Sequence, residues 1–335
     1  PCCAGVDQIV VRVPEDAPLG CYVPLRIKSG SVVSNTVTMA IASRAGEKCS
    51  DTFNPFSSLI RNSRRQGMIL LDRTLHQVDT HVATIEQNTT ESVKAYFWNR
   101  EPSAFAFDPI FSYPPPGTCM VQQASGNLFR GTPLRGALPA SSSLDAGSSL
   151  KLVTPFSGTA DIPRISLPQA GYSAVVGSLR ASDGVGLLKL GFPNAVTVTF
   201  NGAVGEASIQ PNNTNLFAWG GRPALERIRR DVNTRITFTP NEFNSSSELS
   251  LVAYSAVHDA STAITCLVAP GTTLFQLPPD LLANLPVSYG RPDGSLAMLG
   301  IGIVPLSRAV PFSGAGLDAG LLLFTQWQTK SVYIQ

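Results

Sequence analysis

The chain has 335 residues, 43% of them hydrophobic and only 14% charged, with 28 Gly and 26 Pro. Charged residues fall well below the roughly 25% usual for soluble domains, so the profile suits a turn-rich, extracytoplasmic all-β protein better than a cytosolic enzyme. The net charge of +2 supplies no field for nucleic acid, and the clusters Arg61/Arg64/Arg65 and Arg227/Arg229/Arg230 lack interleaved aromatics.

The opening stretch reads as three short strands at 8–13 (QIVVRV), 21–28 (CYVPLRIK) and 32–41 (VVSNTVTMAI), joined by PEDAPLG and SGS. An Ig-like sandwich needs about seven strands, so residues 1–46 read as its trailing part. Pro1 is not an initiator residue, and the chain is expected to be a processed product or a fragment of a longer one. After the polar linker 42–51, NPFSSLIRNSRRQG predicts a helix with Asn54 as N-cap, Pro55 at its first position and Gly67 just past its end. Strands are then predicted at 68–75, 77–87, 91–100, through Cys119, in SSLKLVTP, in GYSAVVGS and at 195–202.

From about Asn215 the spacing of short strands at 234–240, 248–257, 262–270, 296–305, 319–327 and 331–334 predicts a second sandwich. PPDLLANLP (278–286) predicts a short helical turn within it. The expected architecture is therefore all-β: Ig-like β-sandwich modules in series, with one or two short helices. Its units are trailing strands at 1–46, a β-rich middle domain at 47–214 and an Ig-like sandwich at 215–335. The longest apolar run, Leu296 to Leu306, is too short and too broken by Gly and Pro to span a bilayer. The tetrapeptides PFSG (155–158, 311–314) and LDAG (144–147, 317–320) recur in swapped order and read as turn chemistry before a strand.

Six cysteines, Cys2, Cys3, Cys21, Cys49, Cys119 and Cys266, form no CxxC and read as disulfides, with fifteen complete connectivities open. The expected pairs are Cys21 with Cys2 or Cys3, and Cys49 with Cys119. Cys266 is the first candidate for a buried free thiol.

Catalytic equipment is sparse. His76, Asp79 and His81 form H-x-x-D-x-H, but alternation along a strand puts His76 on the opposite face from the other two, against a shared metal. Ser157 and Ser313 have no recognisable base, G-x-S-x-G is absent, and neighbours His258 and Asp259 would point to opposite faces of a strand. No phosphate loop, dinucleotide fingerprint or EF-hand is present, and no cofactor or catalytic residue is expected. Trp98 and Trp219 could stack on a sugar ring if exposed. Asn88, Asn212 and Asn244 match the glycosylation acceptor pattern.

The segments GVDQIVVRVPEDAPLGCYVPLRIKSGSVVSNTVTMAI, KCSD (48–51), LDAG (144–147), GYSAVVG (171–177), ITCLVAP (264–270) and GLDAGLLLFTQWQTKSVYIQ span nearly the whole chain. Together they resemble the Solibacter-type C-terminal region of large secreted acidobacterial proteins with Ig-like modules. The resemblance implies secretion or surface display and supplies no catalytic residues.

A three-stranded remnant leaves apolar side chains and strand edges to water, which is costly. Ile9, Val11, Val13, Val23, Leu25, Val37 and Met39 are the candidate assembly-edge residues. The expected function is an extracellular or cell-surface structural protein, a homo-oligomer or polymer whose filament joint is strand complementation. The alternative is a carbohydrate- or ligand-binding module of a longer secreted protein.

Overall fold

In the computed structural model, residues 9–30, 32–34, 36–54, 57, 62–80, 84–99, 113–126, 142–154, 158–165, 171–180, 186–187, 196–200, 206–209, 219–239, 247–289, 296–303, 309–314 and 316–335 are described. The fold is all-β, as the composition and strand spacing predict.

The strands of the first part are β1 (Gly20–Leu25), β2 (Lys28–Ser29), β3 (Val32–Val33), β4 (Val37–Ile41), β5 (Arg65–Thr80), β6 (Thr84–Asn99) and β7 (Cys119–Ser125). Then come β8 (Ser142–Ser143), β9 (Ser149–Thr154), β10 (Gly158–Ile165), β11 (Gly171–Arg180), β12 (Gly186–Leu187), β13 (Val196–Phe200) and β14 (Glu206–Ile209). The last part holds β15 (Trp219–Gly220), a 3-10 turn (Arg222–Ala224), β16 (Arg227–Ile228), β17 (Thr234–Phe238), β18 (Ser247–Ser255) and β19 (Ala260–Val268). It closes with β20 (Leu274–Leu277), the helix α1 (Pro279–Leu282), β21 (Leu296–Ile303), β22 (Val310–Phe312) and β23 (Ala319–Ile334).

One large sheet runs in the order β14-β13-β9-β10-β11-β6-β5-β23-β21-β18-β19-β7. Strands from both sides of residue 214 share it: β7 pairs with β19, and β5 pairs in parallel with β23. A three-stranded sheet, β15-β17-β20, and the two-stranded ribbons β1-β4 and β2-β3 complete the architecture.

Strand β23 organises the interior, because it is buried along nearly its whole 16-residue length. Side chains alternate between faces of a strand, and here three cores use that alternation. Leu321, Leu323 and Trp327 enter one core with Met68, Leu70, Tyr96, Val252 and Leu267. On the other face, Leu322 and Phe324 join Ile69, Leu71, Val93, Phe97, Leu152 and Ile162. Further along that face, Val332 and Ile334 join a core between β7-β19-β18-β21 and the β15-β17-β20 sheet with α1. Each fully buried Leu, Ile or Val in these cores contributes roughly 1.5–3 kcal/mol. Close packing also explains two strand glycines: a Cβ on Gly302 would lie 2.5 Å from the Trp327 ring, and one on Gly67 would lie 2.9 Å from Phe97.

Several expectations are corrected. Residues 9–13 are not a strand: Pro14 follows, Ala17 N–H turns back to the Pro14 carbonyl, and no strand among the described residues pairs with them. Gly67 does not end a helix but lies two residues inside β5; of the predicted helix, only Asn54, Ser57 and residues 62–67 are described. The separate strands expected at 68–75 and 77–87 are one long strand, β5, followed by the start of β6 in a hairpin that pairs Thr80 with Thr84. Likewise the final two predicted strands are the single β23. The helical turn expected within 278–286 is α1.

The cysteines pair otherwise than expected: Cys21 with Cys49, and Cys119 with Cys266. Cys119 stands directly opposite Cys266 in the β7-β19 ladder, so Cys266 is no free thiol. Cys2 and Cys3 lie outside the described residues.

Candidate functional site

The leading ribbon is held against the body by polar contacts as well as the Cys21–Cys49 bridge. The Cys21 N–H donates to Asp51 Oδ1 at 2.7 Å, the Val121 N–H of edge strand β7 donates to Thr36 Oγ1 at 3.1 Å, and Arg26 pairs with Asp280 of α1 at 3.2 Å. Part of the expected assembly surface is therefore sheltered within the chain. Val23 is buried, and Leu25 and Met39 are half-buried, so these three are not free edge residues. Tyr22 is buried beside them.

The rest of that surface is open. Ile9, Val10 and Val11 are 58%, 86% and 58% exposed, and Val13 and Val37 are exposed as well. Five successive residues, 9–13, thus present four aliphatic side chains to solvent and make no ladder hydrogen bonds among the described residues. Such a segment has the chemistry of an added strand: backbone donors and acceptors to pair, and side chains to bury.

Trp98 and Trp219 are 3% and 6% exposed, which rules both out as sugar-stacking platforms in this fold. Trp98 packs in the core with Met68 and Tyr96, while Trp219 packs against Phe238 and Ile236 with the Arg222 guanidinium 5.8 Å from its ring. Asn88 is not on a loop but inside β6, half-buried. Asn212 and Asn244 lie outside the described residues.

His76 bonds through Nδ1 to Thr329 Oγ1 at 2.8 Å, in line with its ladder partner on β23. His81 and the Asp79 side chain lie outside the described residues. Burial first, and the Arg222 charge second, hold His76 below its ordinary value of 6.5. On acidification the unfolded chain takes up this proton first, so stability attributable to His76 is intact above pH 6.5 and declines as pH falls below it. Comparing the pH dependence of the unfolding midpoint with that of His76→Gln checks this: the variant's slope below pH 6.5 is expected to be shallower, and an unchanged slope refutes it.

Arg222 and Lys330 are buried beside this position. Arg222 donates to the carbonyls of Leu75 (2.9 Å) and Thr329 (2.8 Å), and Lys330 Nζ donates to the carbonyls of Arg222 (3.0 Å) and Pro223 (2.6 Å). These bonds clamp the 3-10 turn onto β23. Sequence reasoning passed over both residues, since isolated cations in polar stretches carry no signature of burial.

At the far end of the large sheet, a cleft of about 530 Å³ opens beside the β18-β19 turn. His258 and Asp259 line it with Ser255, Ser261, Arg230 and Asn284. The two are in a turn rather than on a strand, and Asp259 takes a left-handed φ of 42° while accepting the Tyr254 hydroxyl at 3.0 Å. Ser261 donates its hydroxyl to the Gly126 carbonyl at 2.7 Å, and Ser255 Oγ accepts the His258 backbone N–H at 3.4 Å. Both serines engage backbone groups. Ser313 stands after β22, and Ser157 lies outside the described residues.

The LDAG turns do serve strand entry. Asp145 accepts the Gly147 N–H at 2.8 Å ahead of β9, and Asp318 accepts the N–H groups of Arg64 and Arg65 at 2.8 Å each, joining the starts of β23 and β5. These backbone hydrogen bonds, more than the nearby arginines, hold both carboxyls below the usual carboxylate range.

No helix among the described residues is long and apolar enough to cross a membrane. No protein-family model matches the chain, and no curated protein matches it either.

Proposed function

We propose that the chain is a secreted or surface-displayed structural protein that associates with copies of itself, residues 9–13 of one copy adding as a strand to an open edge of the next. The observation that carries the reading is the exposure of Ile9, Val10, Val11 and Val13 on a segment without a ladder partner among the described residues. Leaving four aliphatic side chains in water forgoes roughly 1.5–3 kcal/mol for each that association could bury fully. A contact that joins the leading segment of one copy to a different surface of the next is heterologous, and repeated without closure it builds a filament. Two disulfides support an oxidising location. The resemblance in the opening and closing segments points the same way.

The test is the Val10→Lys/Val11→Lys variant, which places charge where strand addition needs apolar contact. It is expected to stay folded, because neither side chain packs in a core, while losing self-association by at least tenfold in sedimentation. Unchanged association refutes the role of this segment.

The cleft beside the β18-β19 turn favours a second reading, a glycan- or other ligand-binding module. Glycan binding by the assembly-deficient variant that Asn284→Ala abolishes would favour it over a purely structural role.

A further inference from the structure

The face of the β5-β6 hairpin that meets the Met68–Tyr96–Trp327 core carries a charged pair that neither reading uses. Asp72 and Lys94 are diagonal neighbours across the ladder, since Asp72 pairs with Ser92 and Leu70 with Lys94. Asp72 is buried, and Lys94 Nζ stands 3.9 Å from its Oδ2. That is longer than the roughly 2.7–2.9 Å of a charge-assisted hydrogen bond. The Arg73–Glu91 pair on the opposite face of the same hairpin closes to 2.6 Å.

The two oxygens of Asp72 are in different situations. Oδ1 accepts the Thr325 hydroxyl, and Thr325 Oγ1 in turn accepts Trp327 Nε1–H at 3.2 Å. Among the described residues Oδ2 has no hydrogen-bond partner, and it lies nearest the amine. The donors therefore polarise the carboxyl from one side and leave the other oxygen free to depart. Burial also favours the neutral, nucleophilic form of Lys94. It lowers the Lys94 ammonium, with Asp72 opposing, and together with the Asp72 charge it pushes the Tyr96 hydroxyl up to about 12.

We propose that Lys94 and Asp72 condense into an intramolecular isopeptide bond that ties β5 to β6. Transfer of one proton from Nζ to Oδ2 gives a neutral amine and a carboxylic acid. The Nζ lone pair attacks Cγ, forming the C–N bond, while the C=O electron pair moves onto Oδ1, where the Thr325 hydroxyl stabilises it. A second proton passes from Nζ to Oδ2, the Cγ–Oδ2 bond breaks, and the carbonyl re-forms at Oδ1. The ammonium gives up two of its three protons, which leave with Oδ2 as one water. Nothing is oxidised or reduced, and no outside reagent is consumed. Adjacent positioning in a water-poor core supplies the effective concentration that an amine and an acid lack in solution.

Intact mass, measured after reduction and denaturation, decides the matter. The expected mass is one water below that of the sequence. Trypsin should then yield a branched species joining residues 66–73 to residues 74–100, uncut at Lys94. Lys94→Arg and Asp72→Ala are each expected to restore the full sequence mass. A parent chain at the full sequence mass overturns the proposal, as does a water loss with Lys94 still cleaved or a deficit that survives Lys94→Arg. The parent measurement stands whether or not the variants fold.

Discussion

Glu91→Ala is expected to remove about 3–5 kcal/mol of folding stability, read as a lower urea midpoint at unchanged slope. Glu91 is 0% exposed and stands directly across the β5-β6 ladder from Arg73. Arg73 reaches Glu91 Oε1 through Nε at 2.8 Å and Nη2 at 2.6 Å, and its guanidinium lies 5.9 Å from the Phe324 ring centroid. Removing the carboxylate leaves that cation in a core built from Ile69, Leu71, Val93 and Phe97. Much of the energy at stake is the cost of a buried guanidinium that has lost its carboxylate, not the attraction alone. Replacing both partners, as Arg73→Met with Glu91→Leu, is therefore expected to recover most of the loss. A single variant within about 1 kcal/mol of the parent would show that the pair is not buried in the way described.

Removing the Cys119–Cys266 bridge by Cys119→Ala/Cys266→Ala is expected to cost more than removing Cys21–Cys49. The bridged residues are 147 apart in the first case and 28 in the second. The chain-entropy relation assigns about 5 kcal/mol to the longer loop and about 3–4 kcal/mol to the shorter. The longer bridge also pins β7, an end strand of the large sheet, to β19. Denaturant midpoints of the two double variants check the order, and equal losses or a reversed order contradict it.

The all-β class was legible because short apolar runs punctuated by Pro and Gly have few other solutions. Strand positions such as TRITF and ELSLVAYS followed from the same pattern, although β17 buries one face and β18 is buried on both. What escaped was everything set by partners distant in sequence. β5 looked like two pieces because polar His76 separates the strands predicted at 68–75 and 77–87. In the fold, Asp72, Arg73 and His76 are matched by Thr325, Glu91 and Thr329, and two of those partners lie 253 residues away. The parallel pairing of β5 with β23 had a trace in MILL and GLLLF, since strands buried on both faces read as continuous apolar runs. The disulfide pairs depended on register between remote strands, which cysteine spacing does not encode.

At the site, exposure divided the candidates. Ile9, Val11, Val13 and Val37 are exposed, while Val23, Trp98 and Trp219 are buried. Periodicity identifies an apolar strand, but it does not say which neighbour covers it. The Asp72–Lys94 pair was invisible for a related reason, because its significance lies in what Thr325 and Trp327 bring from β23.

Sedimentation of the unaltered chain at physiological salt, over a wide range of concentration, tests the central claim most directly. Self-association through residues 9–13 predicts species that grow with concentration beyond a dimer and dissolve when Val10 and Val11 carry lysine. A folded chain that sediments as a single monomer throughout that range would contradict it.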